Sequence, residues 1–380
     1  MIKRLAVAGY RSLRDLALEL GQINIVTGAN GSGKSSLYRS LRLLSDIAQG
    51  RLVASLAKEG GLASTLWAGP EKISREMRHG VHAVEGTLRS APVSLRLGFS
   101  GDDFGYAIDL GLPAPVALFP HDPEIKMEAM WSGSTLNRST LFAERRGPSV
   151  RLRRQDNGEW RTSLTSLSSF DSMVTHCADP GDGLELLLMR ERMRNWRFYD
   201  NLRTDMDAPA RQMQVPTWTP VLAGDGGDLA AAVATIQAIG DGAAFAAAVE
   251  DAFPGAQVRV DDFRLGMRQH GLLRPLSVSE LSEGTLRYLL LIAALLSPRP
   301  PELMILNEPE SSLHPSLLGA LARLLLKAAE HCQIVLVSHS ERLIAGLRQD
   351  DRVNAFELEK DFGETIIRGG PAPRWAWPAR

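Results

Sequence analysis

A glycine-rich loop between an apolar strand and an amphipathic helix constrains this chain more than any other feature. Residues 28–35 read GANGSGKS and satisfy the phosphate-loop pattern G-x-x-x-x-G-K-[ST]. The preceding run, residues 22–27 (QINIVT), predicts a short buried strand, and residues 34–47 carry leucine or isoleucine at helical spacing. Backbone N–H groups of such a loop surround phosphates at a helix N-terminus, where the helix dipole favours anions. A chance match to a Gly/Ser-rich turn would lack this context.

The residues of this loop predict ATP and Mg²⁺ as its ligands. Lys34 would reach the β- and γ-phosphates, and the Ser35 hydroxyl would be a magnesium ligand. The predicted nucleotide-binding residues of the loop are Gly28, Ala29, Asn30, Gly31, Ser32, Gly33, Lys34, Ser35 and Ser36.

A second apolar strand ends in residues that suit phosphoryl transfer. Residues 303–306 (LMIL) lead into Asn307 and Glu308, and Pro309 then stops regular structure. At such strand ends one carboxylate holds the magnesium shell and a following one polarises the attacking water. Glu308 suits the second role, whereas Asn307 brings no charge and would contact Mg²⁺ through water. The alternative is a degenerate site that binds ATP without cleaving it.

A third apolar strand, residues 333–338 (QIVLVS), is followed by His339. Parallel strands place functional side chains just beyond their carboxyl ends, so Lys34, Glu308 and His339 are predicted to converge as catalytic residues. His339 would contact the γ-phosphate, although a histidine here can also be structural. His314 precedes a predicted helix. It could either cap that helix or make a functional contact, and the sequence favours neither.

The segment 281–285 (LSEGT) opens a predicted helix over residues 286–296. A helix N-terminus with Ser and Gly is an anion site. Because Lys34 already serves the chain's own phosphate loop, Ser282 and Gly284 are predicted to contact the γ-phosphate of a partner subunit. This implies an ATP-dependent homodimer whose site is complete only when two copies face each other. The alternative is a capped core helix.

The order of these motifs resembles that of the RecF/SMC-type AAA ATPases, which have an ABC-type site. The segments that carry the resemblance are 10–16 (YRSLRDL), 196–200 (WRFYD), 224–229 (GDGGDL) and 306–315 (LNEPESSLHP). Within that group the chain is similar to a bacterial family of stand-alone ATPases that also resemble RecF. Asn307 departs from the aspartate usual in the wider superfamily, and His314 stands where ABC transporters have an aspartate.

The resemblance implies an α/β fold, a P-loop NTPase of the ABC/SMC-head type. It has a mixed sheet flanked by helices, an antiparallel β-subdomain and an inserted, mostly helical lobe. Alternating apolar runs at 81–88, 93–99, 106–112 and 125–131 predict the antiparallel strands. We expect the N-terminal half of the head at 1–131, an inserted lobe with an arginine-rich loop and helices at 132–275, the C-terminal half at 276–370, and a tail at 371–380.

Composition favours a cytoplasmic protein that does not enter membranes. The longest apolar stretch, residues 289–296, is far shorter than the roughly 20 residues that span a bilayer. The N-terminal residues 1–4 carry no signal-peptide core, and the two cysteines lie outside any metal-ligand spacing.

DNA is a further candidate partner, because arginines cluster in two segments although the net charge is −1. These are Arg138, Arg145, Arg146, Arg151, Arg153, Arg154 and Arg161, and then Arg190, Arg192, Arg194, Arg197 and Arg203. Such clusters are often only solvated faces or salt-bridge partners. Two functions remain open: an ATPase whose dimer acts on DNA in repair or genome maintenance, and a nucleotide-gated regulatory subunit of a defence or stress system with a protein effector.

Overall fold

The computed structural model describes residues 1–71, 73, 77, 92, 94–114, 119–154, 158–181, 183–215, 217–262, 264–369 and 373–380. The chain forms two compact units. Unit 1 consists of Met1–Gly21, Gly28–Asn195 and Phe356–Arg380, and unit 2 consists of Gln22–Thr27 and Trp196–Ala355.

An eight-stranded antiparallel sheet forms the centre of unit 1. Its strands are β1 (Ile2–Tyr10), β2 (Leu13–Glu19), β4 (Leu95–Gly101), β5 (Phe104–Gly111), β6 (Glu124–Ser132), β7 (Leu141–Arg146), β8 (Ser149–Arg153) and β9 (Trp160–Leu164). They are ordered β2-β1-β4-β5-β6-β7-β8-β9. Strands β4, β5 and β6 confirm three of the four predicted antiparallel runs, whereas the run at 81–88 lies outside the described residues.

Within its described residues, unit 1 contains the helices α1 (Lys34–Ala48), α2 (Leu52–Lys58), α3 (Leu62–Thr65), α4 (Met173–His176) and α5 (Leu184–Arg194). Helix α1 buries Leu37, Leu41, Leu44 and Ile47, the residues whose spacing predicts it. Its Ser45 hydroxyl donates to the carbonyl of Met193 on α5 at 2.8 Å, so the two helices pack together.

The arginine-rich segment is not the loop that its sequence suggests. It forms strands β7 to β9. Glu144 on β7 forms ion pairs with Arg151 on the neighbouring β8 and with Arg146 on its own strand. Arg145 is fully buried, where it pairs with Glu128 and donates to backbone carbonyls. A buried guanidinium is tolerated because its donors are satisfied. Such pairings between strands have no local sequence signature.

Parallel strands form the central sheet of unit 2. They are β3 (Ile23–Gly28), β10 (Arg197–Tyr199), β14 (Leu303–Asn307) and β15 (Gln333–Val337). Their order is β10-β14-β15-β3, and β16 (Val353–Asp361) lies next to β3. Asn307 pairs with Val337, and Val337 pairs with Val26. The carboxyl ends of these strands therefore lie at one edge of the sheet.

The core of unit 2 is built from helices packed on this sheet. They are α6 (Leu229–Ile239), α7 (Gly242–Ala252), α8 (Glu283–Leu295), α9 (Leu318–Ala328) and α10 (Glu341–Leu347). A small antiparallel sheet comprises β11 (Gln257–Asp261), β12 (Arg264–Arg268) and β13 (Leu276–Ser277). In unit 1 the last strand, β17 (Glu364–Ile367), pairs with the end of β16. Among the described residues, no helix is long and apolar enough to cross a membrane.

Candidate functional site

The predicted phosphate loop connects β3 to α1 and depends on glycine conformations. Gly28, Gly31 and Gly33 have φ angles of 136°, 79° and 112°, which favour glycine strongly. Helix α1 then begins at Lys34, and its first turn contains no acidic residue. The N–H groups of a first turn lack acceptors within the helix. The helix therefore offers its dipole and its backbone donors to an anion.

Two side chains inside the loop fit a phosphate ligand. Lys34 is only 6% exposed, and its ammonium donates to the carbonyls of Gly28 and Ala29 at 2.6 and 2.9 Å. The Ser32 hydroxyl is buried without a hydrogen-bond partner. Buried polar groups normally have partners, so this orphaned oxygen is consistent with a ligand in the loop.

The end of the chain supports the loop from one side, which the sequence does not predict. The buried Thr365 hydroxyl on β17 donates to the carbonyl of Ser32 at 2.7 Å and lies 2.8 Å from the Ser12 hydroxyl. A Cβ atom at Gly33 would overlap with the Thr365 side chain, and one at Gly28 would overlap with the carbonyl of Leu358. These two glycines thus allow close backbone approach as well as positive φ angles.

In unit 2 the structure brings Glu308 and His339 together. Glu308 follows β14, and His339 lies just beyond β15. The His339 Nε2 atom lies 3.4 Å from Oε1 of Glu308, and both side chains are partly exposed. Glu308 has a φ of 47°, an unusual conformation that costs about 1–3 kcal/mol and is common at functional sites. Its N–H donates to the carbonyl of Val337 at 2.8 Å.

Glu310 holds the segment that carries His339, a role that sequence reasoning missed. Its Oε1 atom accepts from the Ser338 hydroxyl at 2.6 Å and from the backbone N–H groups of His339 and Ser340 at 2.9 and 3.2 Å. A carboxylate that accepts several donors fixes their geometry strongly. The sequence feature that could have predicted this role is the second glutamate of residues 307–310 (NEPE).

Ser282 and Gly284 lie at the exposed start of α8. Ser282 is the N-cap, and its hydroxyl accepts from the N–H of Thr285 at 3.2 Å. A Cβ atom at Gly284 would lie only 2.8 Å from the carbonyl oxygen of Ser312, so glycine allows the helix to approach that loop. These contacts within one subunit account for a serine and a glycine at these two positions. Contact of either residue with a partner's phosphate stays a prediction.

Arg287 links α8 to the end of β14 and was not singled out from the sequence. Its guanidinium donates to the carbonyls of Leu202, Glu308 and Pro309 at 3.0, 2.9 and 3.3 Å. Burial lowers the pKa of Arg287, while the nearby charges of Glu310 and Glu308 oppose that shift. The side chain therefore couples the position of α8 to the backbone of Glu308.

The geometry at His314 favours the cap over the functional contact. Its Nδ1 atom accepts from the N–H of Ser316 at 3.3 Å and lies 2.8 Å from the Ser316 hydroxyl. It is the N-cap of the turn Pro315–Leu317 that leads into α9.

The donor set fits magnesium held mainly by a nucleotide. Among the described residues, no group of three or more His, Cys, Asp or Glu could hold a metal ion. Mg²⁺ usually keeps several waters and binds through substrate phosphates and only one or two protein groups. The exposed Ser35 hydroxyl at the start of α1 and Asn307 at the end of β14 suit that limited contribution. The convergence of these groups stays a prediction.

The predicted DNA-binding arginines are largely engaged within the chain. In the first cluster, Arg153 donates to the carbonyls of Ser139 and Gly158, besides the ion pairs described above. In the second cluster, ion pairs engage four arginines: Arg190 and Arg194 with Glu191, Arg192 with Asp103, and Arg203 with Asp205. These contacts reduce the positive charge that either cluster can offer to DNA.

Comparisons with known proteins agree with this architecture. Residues 181–345 match the family model described as "AAA domain, putative AbiEii toxin, Type IV TA system". No curated protein matches the sequence. One similar solved structure is an SMC head bound to the C-winged-helix domain of ScpA, with 13% identity, a TM-score of 0.52, and 96% of this chain and 97% of that chain covered.

Another is an SMC head with an extended coiled coil bound to the C-terminal domain of ScpA, from Pyrococcus furiosus. It has 12% identity, a TM-score of 0.50, and coverage of 96% of this chain and 95% of that chain. The Thermotoga maritima SMC head domain has 15% identity and a TM-score of 0.49, with 96% and 97% covered. The chain thus has an SMC-head-like P-loop fold, and its predicted resemblance to ABC/SMC-like AAA ATPases is confirmed.

Proposed function

We propose that this chain is a magnesium-dependent ATPase of low turnover that works as an ATP-dependent homodimer and acts on DNA in repair or genome maintenance. The observation that carries the proposal is the phosphate loop itself, in which a buried Lys34 and an unpartnered Ser32 hydroxyl precede an acid-free helix N-terminus. The fold of a P-loop ATPase implies nucleotide binding, and the family-model match and fold support ATPase chemistry.

Each predicted group has a chemical task in this proposal. Lys34 and the first-turn N–H groups bind the phosphates, and the Ser35 hydroxyl holds the metal. Magnesium, when bound, neutralises charge on the β- and γ-phosphates. Glu308 polarises the attacking water, and His339 contacts the γ-phosphate. The position of His339 beside Glu308 supports a shared role at the end of the sheet.

Asn307 is the reason for proposing low turnover. A neutral amide attracts a magnesium-bound water less strongly than a carboxylate does, because charged hydrogen bonds are roughly twice as strong as neutral ones. Asn307→Asp should therefore raise turnover at limiting Mg²⁺ if this position contributes to the metal shell. An unchanged dependence of turnover on Mg²⁺ concentration would show that Asn307 does not belong to the metal site.

The exposed N-terminus of α8 supports the homodimer. Ser282 and Glu283 are exposed there, so the first turn is accessible to a phosphate carried by a second copy. Arg287 would then transmit the position of α8 to Glu308 through its backbone contacts. In this way the partner's nucleotide would influence hydrolysis in both subunits.

A second candidate function has its own supporting observation. The matched family model names a putative toxin and a type IV toxin–antitoxin system, which favours a nucleotide-gated regulatory subunit that acts through a protein effector. Two of the SMC heads to which the chain is similar were solved with a bound ScpA domain. Stimulation of ATP turnover by single- or double-stranded DNA would favour the DNA-acting enzyme. A co-purifying protein without DNA stimulation would favour the regulatory subunit.

The central experiment is light scattering of Glu308→Gln with ATP or ADP. This variant should bind ATP, hydrolyse it slowly and accumulate as a dimer with ATP alone, because the carboxylate acts on water and not on affinity. Glu330→Gln, a change of the same kind at an exposed helix end, should behave as wild type.

Two further variants separate binding from dimerisation. Lys34→Ala should abolish measurable ATP binding by calorimetry, and near-normal affinity would remove the loop from the nucleotide site. Ser282→Arg should bind ATP as a monomer without dimerising or hydrolysing it. Normal turnover by Ser282→Arg together with a monomeric Glu308→Gln would mean that each subunit works alone.

A further inference from the structure

Three arginines share one exposed face of the small sheet in unit 2. Arg259 lies on β11, and Arg264 and Arg268 lie on β12; these three residues are called the arginine face. Strand side chains alternate between faces. The intervening Leu265 and Met267 are buried, at 3% and 0% exposure, so the arginines point away from the core.

The strand register makes this face continuous. Arg259 pairs with Gly266, and Arg268 pairs with Gln257. Directly opposite residues lie about 5 Å apart, and alternate residues on a strand lie about 7 Å apart. Gly266 brings no side chain to the centre of the face, and the next strand places Ser277 beside it. A Cβ atom at Gly266 would lie 3.3 Å from the Cβ atom of the exposed Pro275, so one apolar side chain borders the centre of the face. A chain of phosphates could approach the guanidinium groups from this exposed side.

The guanidinium groups of the arginine face are available to an external ligand. Within the part of the chain that the structure describes, none of its three guanidinium groups has a hydrogen bond or an ion pair. Some exposed arginines elsewhere are paired, such as Arg323 with Asp251 and Arg274 with Glu280. Unpaired guanidinium groups retain all five donors for an external ligand.

Acidic residues lie at one end of this face only. Asp261 pairs in register with Arg264, and Asp262 follows at the turn. The opposite end, with Arg259 and Arg268 beside Gln257 and Gly266, has no acidic residue on the two paired strands. The positive charge is therefore concentrated away from the turn.

We propose that the arginine face binds the phosphate backbone of double-stranded DNA. Guanidinium groups match phosphate oxygens with paired donors, and repeated contacts release counterions from the duplex. An acidic protein would offer carboxylates of similar geometry. Stable protein interfaces, however, have an apolar core, whereas the positions between these arginines are Gln257, Gly266 and Ser277, with Pro275 as the apolar side chain beside Gly266.

This surface is connected to the start of α8 through the chain. Ser277 ends β13 and caps the turn Val278–Glu280, and Leu281 and Ser282 follow directly. DNA on the arginine face would therefore influence the segment predicted to contact a partner's nucleotide. The inference rests on the proposed function for this coupling and for DNA as the partner, whereas measuring DNA binding requires no nucleotide.

The test is a nucleotide-free titration of a fluorescent DNA duplex across a series of salt concentrations. The variant replaces Arg259, Arg264 and Arg268 together with glutamine. Each phosphate contact contributes about 0.9 to the slope of log affinity against log salt concentration. Losing three contacts should therefore reduce the slope by about 2.7 and weaken binding at low salt. A thermal unfolding curve like that of wild type would show that the exposed substitutions leave the fold intact.

The control replaces three paired exposed arginines outside the two predicted clusters, Arg51, Arg323 and Arg368, with glutamine. It changes the net charge equally but should largely retain the wild-type slope. An equal loss of slope in both variants would show a general charge effect and overturn the proposal. So would an unchanged slope in the arginine-face variant, or wild-type binding of an acidic peptide without binding of DNA.

Lys34→Ala distinguishes failure of this inference from failure of the proposed function. It should bind DNA like wild type in the nucleotide-free assay. Normal ATP hydrolysis with an unaltered slope in the arginine-face variant would contradict the inference alone. A reduced slope in a protein that binds no ATP would contradict the proposed function alone.

Discussion

Thr365 provides a direct test of how the phosphate loop is held. Thr365→Val keeps the shape of this side chain, which is 3% exposed, but removes the hydroxyl that donates to the carbonyl of Ser32. A buried acceptor left without its partner costs about 1–3 kcal/mol. We therefore expect the free energy of unfolding, measured with urea, to fall by that amount.

ATP affinity should fall as well, because the loop must recover its geometry when phosphate binds. If the full about 1–3 kcal/mol appeared in binding, affinity would decrease by a factor between about 5 and 150. Calorimetry with the slowly hydrolysing Glu308→Gln variant as background measures this with little turnover.

Thr65→Val is the matched control. The Thr65 hydroxyl is fully buried and donates to the carbonyl of Leu62 at 2.7 Å, in α3 and outside the phosphate loop. It should lose similar stability without losing ATP affinity. If both variants lost stability equally and both bound ATP like wild type, the contact of Thr365 would be structural only, and the reasoning would be wrong.

Three further predictions follow from contacts in both units. Gly284→Ala places a methyl group 2.8 Å from the carbonyl oxygen of Ser312, so it should destabilise the fold by about 1–3 kcal/mol and impair ATP-dependent dimerisation, seen by urea unfolding and light scattering. Arg287→Lys loses the fork that donates to three carbonyls and should lower the rate of ATP turnover more than ATP affinity; equal losses would refute a role in positioning. Burial raises the pKa of Cys177 to about 11 and that of Cys332 to about 12, so iodoacetamide at mildly alkaline pH should modify neither thiol in the folded chain and both in urea. The raised pKa values also mean that the buried neutral thiols contribute to the stability of the fold. This contribution is complete below the unfolded pKa of about 8.5 and is lost as pH rises through the folded values of about 11 to 12.

The sequence by itself determined the helices, strands and loops that depend on the pattern of neighbouring residues. Glycines at fixed spacing, a β-branched run before them and leucines at helical spacing after them predicted β3, the loop and α1. The apolar runs before Asn307 and His339 predicted β14 and β15, because short buried strands need only a continuous apolar segment. These motifs also sufficed for the resemblance to ABC/SMC-like ATPases.

Only the tertiary structure decided which side chains support those motifs. The Ser32 carbonyl accepts from Thr365, which is 333 residues away in sequence, and Glu310 accepts from three donors in the segment after β15. The positive φ of Glu308 likewise has no signature in residue type. The arginine-rich segment looked like a loop because its charges are balanced by strand pairing, by Glu144 for Arg146 and Arg151 and by Glu128 on β6 for Arg145. Long-range register sets all these contacts, whereas sequence pattern reports only neighbours along the chain.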